Sequence, residues 1–509
     1  PALLRIMGFS VQGAYKFYVV MVNLATISIA FFCFRRIFHD EKAALIGSAV
    51  YVLAPYRLAC VYMRAAVGEY TAMTFFPLIF YGLMEIYTES AEDNKGKGNF
   101  VPLMLGFTGL IQTHVISCVI AGLFVGLFCA VFIKKTVFPP RLIQLLKAAV
   151  GAFLLNCWFL LPFADYMHLG YADTSSELTT LGRMNAHGAF LNQMLTVFQE
   201  GTASAYTTIE GVSCTNERNY ALGTFVLVAV CYVFYRLYRG GRRTRFTWIG
   251  DCSMAFAAVS VFMCTIWFPW DYFQQMNGLF RMVTRNIQFP WRFMGISCFF
   301  LTLTTVSLFC LLQEEPDRHL YYMALAVLGM CFVLSADYYM YSYTQNEKQY
   351  RYVDRSDLVS SAMGAGEYLP VELPEDFDYL ADTQPVSGRG AELSEICYEK
   401  GVYTVRCGNG TAGESYVDFP LMPYRGYVCR DRDTQQTFDV KLMGEIGRVR
   451  AVIPPGYSGV LCMRFEEPWY WKMSEMVSLV TFLCGAVRIA ASRKNAEKLL
   501  AGRRSGDEK

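Results

Sequence analysis

Long apolar runs with almost no charge recur from residue 17 to residue 338, and once more at 470–487. About 20 apolar residues in a helix cross the hydrocarbon of a bilayer. Inside that hydrocarbon every backbone N–H and C=O must be satisfied within the protein, so the spans must be helices or a closed barrel. The runs lack the strict alternation of barrel strands, so they predict helices. The candidate spans are 17–34, 43–56, 72–87, 100–113, 115–133, 145–163, 220–238, 248–268, 291–312, 320–338 and 470–487. Composition agrees: 54% of residues are hydrophobic and 17% charged, against about 25% charged in a soluble domain. The fold class predicted is a polytopic α-helical membrane bundle.

Basic residues orient it. With residues 1–16 outside and alternating spans, the inner segments carry 22 Lys+Arg and the short outer segments 8. Cytoplasmic loops are the basic ones, so the tail 488–509 is expected inside. The same arrangement implies at least one span upstream of Pro1. Phe100–Ile133 has basic flanks on both sides and is expected to be a hairpin turning at Thr113–His114. The long outer loops are 164–219 and 269–290, the second with the interleaving of an interfacial helix.

Residues 344–467 differ, with 13 Lys+Arg against 20 Asp+Glu. Short alternating runs at Val402–Arg406, Ser415–Phe419, Thr437–Leu442, Arg448–Ile453 and Val460–Phe465 are separated by turn residues, the pattern of a small antiparallel sandwich. Three domains follow: a bundle over 1–343, an extracytoplasmic β-domain over 344–467, and a last span with a basic tail over 468–509. Four cysteines in this region, Cys397, Cys407, Cys429 and Cys462, allow three disulfide pairings, and the sequence does not choose among them.

Chemistry is expected where charge meets the bilayer. A charged residue at a helix centre costs roughly 2.5–3.5 kcal/mol, so it persists where it pairs or binds a ligand. Arg57, Arg64 and Glu69 lie between two apolar runs. In a continuous helix, Arg57 and Arg64 share a face and Glu69 is offset. They form either a cationic site for a lipid phosphate, with Glu69 as base or orienting group, or an Arg–Glu clamp between helices. His114 stands at an outer turn and Asp165 at the outer end of a span. His114 is either a substrate-binding residue or a hydrogen-bonded packing residue, and Asp165 is either a catalytic carboxylate facing a polar cavity or an ordinary solvated end residue. Arg281, Arg285, Gln288 and Arg292, with Trp291, form a second candidate wall or an interfacial anchor.

Soluble-enzyme motifs are missing: there is no Walker A, GxSxG or HExxH. GNGTAG at 408–413 precedes a strand-like run and is expected to be a turn. The five histidines are scattered, without HxH, so no zinc site or other cofactor is expected and no motif supports a divalent metal. The basic tail fits anionic lipid, not nucleic acid.

The segments PYRLACVYMRAAVGEYTAMTFFPLIFYG, QTHVIS and NIQFPWRFM, with the ending FPLMPYRGYVCRD…VIPPGYSGVLCMRFEEPWYWKMSEMVSL, resemble a bacterial membrane family. It is the 6-pyruvoyl-tetrahydropterin synthase-related family, with the neighbouring YfhO-like proteins, both similar to GT-C glycosyltransferases. The resemblance implies a GT-C-like bundle with an outer β-domain. It implies transfer of a sugar from a polyprenyl-phosphate carrier to an envelope glycan, lipid or protein. Arg64 and Glu69 match the R…E of the family motif, and His114 and Gln288–Arg292 match two others. The first outer loop, where GT-C enzymes usually carry a catalytic acid, would precede this chain. A non-catalytic envelope assembly protein and a flippase of lipid-linked glycans stay open, though a flippase predicts mid-membrane ionisable residues and few are found.

Overall fold

The computed structural model describes residues 1–88, 99–168, 184–194, 207–209, 212–214, 222–240, 243–287, 289–345, 384–388, 390–444 and 447–504. Two compact units emerge: Pro1–Phe153 with Ser175–Leu358, and Leu154–Thr174 with Val359–Lys509. Most of loop 164–219 and of residues 344–383 lies outside the described residues.

The first unit is helical, and its centre is the helix Met294–Gln313. Residues Met294 to Leu312 of this helix are all buried. A helix apolar on every side belongs in the middle of a bundle. Three of its hydroxyls, on Thr302, Thr304 and Thr305, donate to the carbonyls of Cys298, Phe300 and Leu301. Around it pack Glu41–Val52, Thr224–Tyr238 and Arg245–Cys264. Phe299 and Phe300 meet Phe80 at 5.5 and 5.6 Å between ring centroids, so Phe76–Thr88 joins the same core.

The expected hairpin is present. Val101–Thr113 and Val115–Val131 are separated by His114 alone. Leu103 meets Gly82 and Phe128 meets Tyr87, so both helices return to the same end of Phe76–Thr88. Gly82 permits that approach: a Cβ there would stand 2.4 Å from the Leu103 nitrogen. Three further contacts join segments between these helices. Phe38 stacks on Phe246, Tyr87 bonds Thr136 at 2.6 Å, and Glu315 accepts from Tyr235 and pairs with Arg239.

The described residues hold fewer than eleven helices that are by themselves long and apolar enough to span. Among the described residues four helices are long and apolar enough to cross a membrane: Val11–Phe38, Arg245–Cys264, Pro290–Gln313 and Arg318–Ser335. Two bent pairs raise this to six, and Val101–Thr113, Val115–Val131 and Thr224–Tyr238 are shorter. At 1.5 Å per residue a 13-residue helix reaches about 20 Å, short of a ~30 Å hydrocarbon core. The predicted span 145–163 is two helices, Pro139–Leu155 and Cys157–His168. At the break, Ser478 donates to Leu154 C=O at 2.9 Å and accepts from Trp158 N–H at 3.1 Å. Loop 269–290 holds two short helices, Trp270–Met276 and Gly278–Ile287.

The second unit contains the expected sandwich, larger than the sequence runs indicate. Counting a short hairpin Thr207–Ile209 (β1) and Val212–Cys214 (β2) in the first unit, its strands are Val386–Ser387 (β3), Ala391–Glu399 (β4), Val402–Asn409 (β5), Ser415–Phe419 (β6), Tyr427–Asp431 (β7), Thr437–Phe438 (β8), Val440–Lys441 (β9), Val449–Ile453 (β10) and Ser458–Phe465 (β11). One sheet runs β3-β6-β10-β9 and the other β4-β5-β11-β7-β8. Val405, Val417, Phe419, Ala451, Ile453, Leu461 and Met463 form the core between them. GNGTAG is a turn, with the buried Asn409 donating to the carbonyls of Gly413, Ile453 and Pro454. The four cysteines are free. Cys429 opposes Met463, not Cys462, and neighbours along a strand face opposite ways. Cys407 and Cys429 sit on β5 and β7, with β11 between them.

Asp431 closes the β7–β8 turn. Its carboxylate accepts from the Asp433 and Thr434 N–H groups at 2.9 and 2.7 Å, from the Thr434 hydroxyl, and from Tyr457. Led by the Thr434 N–H, these donors hold its pKa at about 2, below the usual ~3.9. The charged form is favoured by folding, so its stabilisation is full above pH ~4 and lost as pH falls through about 2. Asp431→Asn should therefore lower the melting temperature of the intact protein at pH 7. The gap to wild type should close between pH 4 and 2 in melts followed by circular dichroism.

Candidate functional site

Pro55 starts the helix Pro55–Leu58 at a position where its missing N–H costs nothing. The helix then widens over Ala59–Met63, where Arg64 N–H reaches back five residues to Ala59 C=O at 2.9 Å. Ala65 turns with φ 47°, a left-handed conformation that costs an L-residue about 1–2 kcal/mol. A new helix, Val67–Ala72, follows with Glu69 in its first turn, where the helix dipole favours a carboxylate. This strained bend brings Arg64 and Glu69 face to face.

Glu69 is buried, its side chain 6% exposed, and both oxygens are engaged. Tyr56 donates to Oε1 through a short hydrogen bond, and Arg64 Nη1 donates to Oε2 at 3.1 Å. The same Nη1 lies 3.3 Å from the Tyr56 hydroxyl. The guanidinium sits over the Trp291 ring, 4.1 Å from its centroid, a cation–π contact. Arg64 of the first sequence cluster thus meets Trp291 of the second. Arg64 keeps 19% of its side chain exposed, so a ligand can reach it.

His114 belongs to this site. Its Nδ1 accepts from Ser117 N–H at 3.2 Å and lies 2.8 Å from the Ser117 hydroxyl, which leaves the proton of a neutral ring on Nε2. It is within electrostatic reach of Glu69, Arg64 and Arg292. Gly68 keeps the bend close: a Cβ there would stand 3.0 Å from Thr113 C=O and 3.1 Å from the His114 ring. Arg292 lies over Phe289 and Trp291 at 5.2 and 5.7 Å, and donates to Ile287 C=O at 3.1 Å.

Other candidates stand apart. Arg57 does not share a face with Arg64, because the wide turn between them breaks the helical register. It is fully buried and donates to Asn23 Oδ1 at 2.7 Å, Thr26 Oγ1 at 3.1 Å and Val52 C=O at 3.2 Å. Val52 ends the helix Glu41–Val52, so Arg57 sits at the negative end of that helix dipole. Arg281 is exposed and its Nε reaches Gln274 C=O at 3.4 Å. The Arg285 side chain and Gln288 lie outside the described residues. Asp165 lies in the second unit, where it accepts from Arg425 at 2.6 Å, Tyr470 at 2.5 Å and Trp471 Nε1 at 3.2 Å. That set ties Cys157–His168 to the sandwich and to the final helix Trp469–Arg504.

Tyr56 is the site residue that sequence reasoning missed, since a tyrosine beside a proline in an apolar run carries no signal. Among the described residues no group of three His, Cys, Asp or Glu side chains is placed to hold a metal. Comparison of the sequence with protein-family models and with curated proteins returns no match.

Arg57→Ala should lose at least about 2 kcal/mol, since it opens a cavity and orphans buried acceptors. Detergent melting of the purified protein checks this, and Arg57→Lys should recover part of the loss.

Proposed function

We propose that the protein is an integral membrane protein whose Arg64–Glu69–Trp291–His114 cluster binds the phosphate of a polyprenyl-phosphate carrier. In this reading it transfers the carrier's sugar to an envelope acceptor, as the resemblance to GT-C glycosyltransferases implies. The observation that carries the reading is a partly exposed guanidinium held between a buried carboxylate and an indole ring. A phosphate meets there a cation already positioned and partly desolvated, where Coulomb attraction is stronger than in water. Glu69 would orient the acceptor or take its proton, and His114 Nε2–H would donate to a sugar or phosphate oxygen. The second reading, a non-catalytic envelope assembly protein, has its own support: both Glu69 oxygens are already satisfied, as in a structural clamp.

Removing a cation from a buried anion costs roughly 2–5 kcal/mol, and ~1.4 kcal/mol is one decade. Arg64→Ala should weaken polyprenyl-phosphate binding at least tenfold. Arg64→Lys should restore only part, lacking the planar fork. Glu69→Gln should lower turnover in membrane extracts while lipid binding persists. If well-folded Arg64→Ala and Glu69→Gln proteins turn over normally, the site has no part in chemistry. Joint loss of folded protein in both variants supports the clamp.

The bias of 22 to 8 basic residues supports placing the sandwich outside and the tail inside. A cysteine introduced at Ser505 should resist an impermeant thiol reagent on intact cells and react after permeabilisation. Labelling of intact cells would reverse the orientation.

A further inference from the structure

The other end of the first unit carries a second basic feature. Gly295, at the start of the central helix, lies by Tyr56, whereas Gln313 at its end lies by Asp40. Near that far end a cleft of about 270 Å³ is lined by Arg36, His39, Tyr81, Met84, Glu85 and Arg245. These residues come from three separate helices or their ends, Val11–Phe38, Phe76–Thr88 and Arg245–Cys264. A neighbouring cleft of about 490 Å³ shares Arg36 and His39.

Its lining is net positive, two guanidinium groups against the one carboxylate of Glu85. Among the described residues neither Arg36 nor Arg245 is ion-paired, whereas the adjacent Arg35 pairs with Glu41 at 2.7 Å. Glu85 lies within electrostatic reach of Tyr81. Two guanidinium groups lining one cleft attract an anion more than a single carboxylate there repels it. Arg245 is also the first residue of a 20-residue helix whose cap, Thr244, serves the Thr247 N–H. The positive end of that helix dipole adds to the two cations. The exposed aromatic Phe32 lies under Arg36 at 5.6 Å, so apolar surface adjoins the charge.

We propose that this cleft binds a phosphate group, presented by the head of an anionic lipid or free in solution. Arg36 and Arg245 hold the phosphate oxygens and His39 donates to them. This site is separate from the Arg64–Glu69 cluster and does not depend on the reading of that cluster.

The test uses the full chain in detergent with dioctanoyl phosphatidic acid as probe and dioctanoylglycerol as the phosphate-free control. Wild type should bind the first and not the second. Arg36→Gln and Arg245→Gln should each weaken binding several-fold, and together at least tenfold. Arg35→Gln should leave it unchanged. Competition by inorganic phosphate identifies a free-phosphate site. A failure to compete identifies a lipid phosphate. Equal binding of dioctanoylglycerol, wild-type affinity in the double variant, or an equal loss in Arg35→Gln overturns the proposal. If the double variant melts lower without probe, the single variants decide on the same criteria.

Discussion

Backbone polar groups that leave a helix in apolar surroundings must find partners inside the protein. Three breaks in the helical framework meet this demand with side chains. Arg57 reaches the end of Glu41–Val52, Ser478 bridges the gap at Asn156, and His114 caps the helix after its own turn. Each of these polar residues is explained first by the backbone it serves. His114 alone among them also borders the charged cluster.

The Arg64–Glu69 pair is held by a different device. A wide turn and a left-handed Ala65 set two residues five apart against each other. Strain of this sort persists only where the surroundings over-determine it. Here they do: Tyr56 fixes one Glu69 oxygen, Trp291 backs the guanidinium, and Gly68 brings His114 within contact distance. The cluster is thus rigid on its carboxylate side and open on its cationic side.

Much of this was legible in the sequence. The apolar runs located the helices because burial and lipid select the same residues, and the alternation of Val449–Ile453 or Ser415–Phe419 located the sandwich. The strands Ala391–Glu399 and Tyr427–Asp431 were missed: the first is largely exposed and the second mixes charge with apolar residues, so neither alternates cleanly. Arg64 and Glu69 stood out because charge in an apolar context is costly. That Arg57 would turn away could not be read, since a helix widened by one residue leaves no compositional mark. The meeting of Arg64 with Trp291 joins positions more than 200 apart, which no local pattern encodes.

The central helix carries a consequence for biogenesis. Its burial on all sides means that Met294–Gln313 leaves almost no surface uncovered. Most of the helices that enclose it, Glu41–Val52, Phe76–Thr88, Thr224–Tyr238 and Arg245–Cys264, lie earlier in the chain. During synthesis most of the socket is therefore made before the plug emerges. The segment can pack directly into protein as it is made, with little of it waiting for a later partner.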